Sequence, residues 1–190
     1  MTIREHRMET EWRLLESLAE ANRRVFVDLV RSQNEFRITL RDSPAWVRIA
    51  GEPRVETEHT LRYVYPRYYP SLPLEGYFVR PISHINVDSV TGFVCLWQDY
   101  RPAQTIVDAI LVTRAIMAYQ VANWHPDHRM QPDTDLELAQ THTLPMPPLT
   151  LPMSCRTSIS QSATGSRRRL TSVIDEQTPS ESNRALFNIE

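Results

Sequence analysis

At 190 residues the chain is long enough for one well-buried core with some residues left over. Its composition, 41% apolar and 23% charged with a net charge of −2, gives no bulk bias toward nucleic acid or anionic membrane, and no run approaches the ~20 apolar residues of a membrane span. The N-terminus is charged rather than signal-like, so the expectation is a soluble, cytoplasmic protein that engages neither nucleic acid nor membrane.

From Met8 to about Arg31, Trp12, Leu15, Leu18, Ala19, Val25, Phe26, Leu29 and Val30 follow helical spacing, with Asn22 the one polar interruption. Ser32-Gln33-Asn34 stops this predicted helix. Phe36–Leu40 alternates like a half-buried strand and is broken by Asp42-Ser43-Pro44. Trp46–Ile49 and then roughly Val55 to Tyr65 read as two more strands, joined around Gly51-Glu52-Pro53. Short strands with turn-length links predict an antiparallel meander. Pro66, Pro70 and Pro73 remove backbone donors and make the next piece irregular. Gly76–Arg80 supplies a fourth strand, closed by Pro81. After the stretch from His84 to Trp97, Arg101-Pro102-Ala103-Gln104-Thr105 opens a helix, with Thr105 and Asp108 spaced as a capping pair. Ile106, Ile110, Thr113, Met117 and Val121 form its stripe, so this helix packs on the sheet. Asn123–His128 is a polar loop, and Pro132 to about Gln140 is expected as a last short helix. From Thr141 to Glu190, twenty of 50 residues are Ser, Thr or Pro and no apolar period survives. The expected organisation is therefore a folded domain over 1–140 and a disordered tail over 141–190.

The chemistry-bearing stretch is His84-Ile85-Asn86, followed by a turn signal at Gly92 and then Cys95. A thiol nucleophile needs a donor for the oxygen that becomes negative when a carbonyl carbon turns tetrahedral, and a neutral amide such as Asn86 supplies one without competing as a base. Cys95 equally fits a small buried hydrophobe, the commoner fate of a free cysteine. Only one other cysteine occurs, Cys155, and no His/Cys pair has zinc-ligand spacing, which argues against a disulfide scaffold or structural metal. All 21 basic residues are arginine. A GC-rich genome accounts for that; so does an enzyme that carries an activated acyl group and has no side-chain amine of its own to acylate.

Four motifs in order resemble the ubiquitin-conjugating (E2) enzymes: Tyr65-Pro66-Arg67-Tyr68-Tyr69-Pro70-Ser71-Leu72-Pro73, His84-Ile85-Asn86, Gly92-Phe93-Val94-Cys95-Leu96, and Arg101-Pro102-Ala103-Gln104-Thr105-Ile106. The resemblance covers about residues 10–140. It implies an α+β fold with an N-terminal helix, a four-stranded antiparallel meander and a central helix after the active-site loop. It further implies that Cys95 takes the C-terminus of a ubiquitin-like protein as a thioester from an E1-like activating enzyme and passes it to an amine on a target protein. Asn86 matches the family's asparagine, which supports the loop and the oxyanion. His84 matches the triplet histidine, which fixes the loop and is not a general base. Asp127, with His125 beside it, falls near the family's acidic gate that orients the amine. Acyl transfer of this kind uses neither metal nor organic cofactor.

Departures from the family pattern are Ile85 in place of proline, one extra residue between Asn86 and Cys95, and a short segment from Cys95 to Pro102. Ser71 stands where many of these enzymes carry a phenylalanine that docks RING-type ligases. Such divergence resembles the bacterial E2-like proteins encoded in antiphage operons beside an activating enzyme and a deubiquitinase-like peptidase. Two alternatives are an E2-variant binding module that has lost the chemistry, and a cysteine hydrolase using Cys95 with His84 as base.

Overall fold

The computed structural model describes residues 2–125, 129–131 and 143–155. Helix α1 spans Ile3–Ala21 and begins in a capping box: Thr2 Oγ1 accepts from Glu5 N, and Glu5 Oε2 accepts from Thr2 N at 2.7 Å. It ends about ten residues before the sequence pattern suggests. Asn22 closes it, its side-chain Nδ2 donating to Leu18 O at 2.7 Å in place of another helical turn. The residues beyond are strand β1, Phe26–Arg31, and the Val25-Phe26-Val27 run favours that outcome because β-branched and aromatic side chains sit well on a pleated surface.

The remaining strands are β2 (Glu35–Leu40), β3 (Ala45–Ile49), β4 (Glu52–Glu56), β5 (His59–Val64), β6 (Glu75–Phe78) and β7 (Phe93–Val94). The main sheet is antiparallel in the order β1-β2-β5-β6-β7, and β3-β4 form a separate hairpin. Two expectations are corrected here. The stretch from Val55 to Tyr65 is not one strand: it divides between β4 and β5, because Ala50 and Gly51, both at positive φ, already turn the chain so that β4 pairs back on β3. The main sheet also has five strands rather than four, with β1 added at one edge and the two-residue β7 at the other.

Registers Phe36↔Tyr63, Ile38↔Leu61 and Leu61↔Phe78 put one apolar row of the sheet on a single face, and all five residues are buried. Helix α2, Ile106–Met117, covers the core through Ile106, Ala109, Ile110, Thr113 and Met117, with the Tyr63 hydroxyl 2.9 Å from Thr113 Oγ1. It ends at Met117, and Val121, expected on its stripe, is instead exposed in the following loop. Leu15 and Leu18 of α1 complete the core.

Glu11 ties α1 to two loops. Its buried carboxylate accepts from Arg7 Nε at 2.7 Å, Tyr65 OH at 3.1 Å, Tyr69 OH, and Ile106 N at the start of α2 at 2.9 Å. Burial pushes its pKa up, against the opposing pull of Tyr69, Arg7 and the Ile106 amide.

Part of the expected tail belongs to the domain. Residues 143–155 lie along α1 and α2: Leu144 N donates to Ala118 O, Arg114 Nη2 donates to Pro147 O, and Thr150 pairs with Asn22 through both its amide N–H and its carbonyl, at 2.7 and 2.8 Å. Met146, Leu149 and Leu151 pack on the core and Cys155 is fully buried. The expected boundary at 140 therefore moves to at least 155. Ser/Thr/Pro content conceals this segment because its apolar residues follow no helix or strand period; it is an irregular strap that ends in a single helical turn at 153–155. The short helix expected over 132–140 lies outside the described residues.

Candidate active site around Cys95

The cysteine loop is a tight hairpin built on Asp88. Its Oδ1 accepts from Val90 N, Thr91 N and Thr91 Oγ1 at 2.6–3.1 Å, which holds the carboxyl below the usual range. Gly92 turns the chain back at φ +74°. Only glycine fits there, since a Cβ would stand 2.1 Å from the Phe78 carbonyl oxygen. Asp88 N bonds Phe93 O, Val87 pairs with Val94, and Cys95 N donates to Asn86 O at 2.8 Å. The nine-residue separation between Asn86 and Cys95 thus closes into a cross-strand neighbourhood.

Cys95 is half-buried, with access to a cleft of about 550 Å³ that Asn86, Trp97, Asn123 and His125 also line. Asn86 Nδ2 donates to the Cys95 carbonyl at 3.3 Å, and Asn86 Oδ1 accepts from Asn123 N at 2.8 Å. The second bond fixes which end of the amide is which: the oxygen is held by the 121–125 loop, and the NH₂ is turned toward the cysteine. An amide NH₂ carries two hydrogens, so one stays for a substrate oxygen while the other holds the loop. Asn86 is 5% exposed, and its donor works where water competes little.

His84 is fully buried, with Nδ1 accepting from Asn86 N at 3.0 Å and the ring 4.0 Å from the Tyr119 ring. Burial pushes its pKa down to about 3, the Val121 backbone opposing the drop by favouring the protonated ring. A neutral imidazole whose Nδ1 is already an acceptor, sealed from the cleft, orients the Asn86 backbone and does no proton transfer to substrate. Asp127 lies outside the described residues. Sequence reasoning missed Asn123 as the clamp on Asn86, and the signal was slight: the clamp is a backbone N–H, which any residue but proline provides. The buried Glu11 junction was missed as well, because it sits among residues that read only as the polar part of an amphipathic helix.

Among the described residues no cluster of His, Cys, Asp and Glu is arranged to hold a metal, and no helix is long and apolar enough to cross a membrane. A second groove of about 660 Å³ lies between the start of α1 and the loop from Tyr65 to Ser71, lined by Arg4, Asn34 and Arg67. It is larger than the cysteine cleft but is lined by no cysteine.

No protein-family model matches the chain, and no curated protein matches it. Solved structures do. The ubiquitin-conjugating enzyme Pex4p of H. polymorpha, crystallised with the soluble domain of Pex22p, is similar at a TM-score of 0.51 and 19% identity, over 73% of this chain and 87% of that one. A ubiquitin-conjugating enzyme (putative) of Trypanosoma cruzi is similar at 0.49 and 16%, over 71% and 94%. The E2 domain of a ubiquitin-conjugating enzyme of Toxoplasma gondii is similar at 0.42 and 26%, over 70% and 93%. The match to Pex4p defines the class of fold: an α+β domain of the ubiquitin-conjugating type, with an N-terminal helix and an antiparallel sheet.

Proposed function

We propose that the protein is an E2-like conjugating enzyme. Cys95 accepts the C-terminus of a ubiquitin-like protein as a thioester from an E1-like activating enzyme and transfers it to an amine on a target protein. The observation that carries this reading is the half-exposed Cys95 lining a cleft together with Asn86, whose NH₂ donates to the Cys95 carbonyl and whose oxygen is held by Asn123 N. Asn86 is the oxyanion donor, a role worth about 3–4 kcal/mol of barrier. His84 supports the loop, and Asp127 orients the incoming amine. Thioester exchange is nearly isoenergetic, so positioning and exclusion of water supply most of what the protein must add.

A cysteine hydrolase using His84 as base is opposed by that imidazole's burial and neutrality. The departures at Ile85, in the Asn86–Cys95 spacing and in the short loop before Pro102 support a cytoplasmic bacterial enzyme of an antiphage operon, working beside a deubiquitinase-like peptidase.

The test is incubation with an activating enzyme, ATP and candidate ubiquitin-like proteins, reading a thiol-sensitive adduct. Cys95→Ser converts the adduct to a thiol-resistant ester, and Asn86→Ala loads but discharges to amines roughly 100-fold more slowly. Wild-type protein that loads with none of the modifiers encoded by its genomic neighbours would instead be a binding module.

A further inference from the structure

The loop after α2 is fastened to the cysteine loop more firmly than support of Asn86 requires. Asn123 N donates to Asn86 Oδ1, and Asn123 Oδ1 in turn accepts from His125 N at 3.3 Å. Further along, Arg129 Nη2 donates to Trp124 O at 3.1 Å, Met130 N to Ile85 O at 2.8 Å and Gln131 Nε2 to Ile82 O at 2.8 Å. These bonds hold the exposed His125 at the wall of the cleft that Cys95 and Asn86 line. Among the described residues lining that cleft, Cys95 and His125 alone have ionisable side chains.

Aminolysis of a thioester needs a proton acceptor. An alkyl amine titrates near pH ~10 and arrives as ammonium, whose nitrogen has no lone pair to attack with until a nearby group, such as an imidazole nitrogen, accepts a proton from it. His84 is sealed away from the cleft.

We propose that His125 is a further catalytic residue, the acceptor that takes one proton from the incoming ammonium; this rests on Cys95 being the acyl carrier. The freed nitrogen attacks the thioester carbon, the C–N bond forms, and the resulting oxyanion takes the hydrogen bond from Asn86. Collapse breaks the C–S bond, sulfur leaves as thiolate, and the second proton shed by nitrogen passes to that thiolate. Thioester and ammonium become amide, thiol and one proton, which His125 gives up to water.

The test uses the full chain and needs no activating enzyme. Cys95 is charged by exchange with a glycine-terminated peptide thioester, and its discharge is timed at pH 7.5 with lysine, which is protonated there, and with hydroxylamine, which is not. His125→Gln is expected to slow discharge to lysine about 100-fold and discharge to hydroxylamine less than 3-fold, and His125→Asp to recover much of the lysine rate. Equal slowing with both nucleophiles would reduce His125 to loop support and overturn the proposal. So would lysine discharge within 3-fold of wild type, or the nucleophile-dependent pattern appearing in Asp127→Asn instead. Failure of Cys95 to accept the peptide at all would remove the acyl-carrier reading and His125 with it. Charging by the peptide but by no ubiquitin-like protein would overturn only the assigned partner class and leave the role of His125 standing.

Discussion

Ending the chain at residue 142 tests how much of the fold the 143–155 strap supports. That truncation removes Cys155, fully buried, and the partly buried Met146, Leu149 and Leu151, whose packing together corresponds to about 4 kcal/mol at roughly 1 kcal/mol per half-buried side chain. It also strips Asn22 of both its bonds to Thr150, about 1 kcal/mol each, and takes from the buried guanidinium of Arg114 its acceptor at Pro147. Part of the loss is recovered by water entering the vacated surface, which leaves a net destabilisation of about 5 kcal/mol, a large fraction of the 5–15 kcal/mol that holds a domain of this size. Urea unfolding followed by circular dichroism should place the midpoint of the 1–142 fragment about 2–3 M below that of 1–155. Equal midpoints for 1–142 and 1–155 would refute the reasoning and return the domain boundary to 140. Asn22→Ala in the full chain removes its three side-chain bonds, to Leu18 and twice to Thr150, for a loss of about 3 kcal/mol.

Gly92→Ala places a Cβ 2.1 Å from the Phe78 carbonyl and forces a side chain into positive φ. We expect a loss of at least ~3 kcal/mol in thermal or urea unfolding and slower charging of Cys95; unchanged melting and charging would mean that the turn is not built as described. Acid should destabilise the fold from an unusually high pH. Burial lowers the pKa of His84 to about 3 and of His59 to about 4, so the unfolded chain takes up two protons near pH ~6.5 that the folded chain refuses. Their contribution is complete above that pH and is lost as pH falls toward 4 and 3, by about 3–4 kcal/mol for the pair between pH 7 and pH 5. Glu11, whose pKa is raised, works in the opposite sense and offsets part of the loss. The check is the urea midpoint at pH 7 and pH 5, and a midpoint flat across that range would mean that the two imidazoles are hydrated.

Much of the site was legible in the sequence, because a thiol, an amide and a turn glycine in one stretch leave few ways to close the loop. Gly92 announces the reversal, and the reversal then sets Asn86 beside Cys95. What was illegible has two physical origins. Residues 25–30 satisfy a helical and an extended period equally, and the decision between them is made by Asn22 and by the partner strand β2, neither of which a local window weighs. The strap's Met146, Leu149 and Leu151 have no period to detect, because an irregular segment takes its packing from the core it lies on and from no repeat of its own. The clamp by Asn123 N is invisible for a third reason, being a main-chain bond.

The placement of Glu11 explains how so short a segment before α2 can hold the cleft steady. Between Cys95 and Ile106 the chain has no regular structure, yet Trp97 Nε1 donates to Leu74 O at 3.1 Å and Tyr100 OH to Pro70 O at 2.8 Å, so this segment leans on the proline-rich loop. That loop is itself held by Tyr65 and Tyr69 on Glu11, and the same carboxylate receives Ile106 N, where the segment ends. Both ends of the connection therefore refer to one buried group on α1. Four donors around one carboxylate are costly to separate in a low-dielectric interior, since each would be left without a partner. The segment that leads from Cys95 to α2 is held in this way by an ion-linked junction on α1.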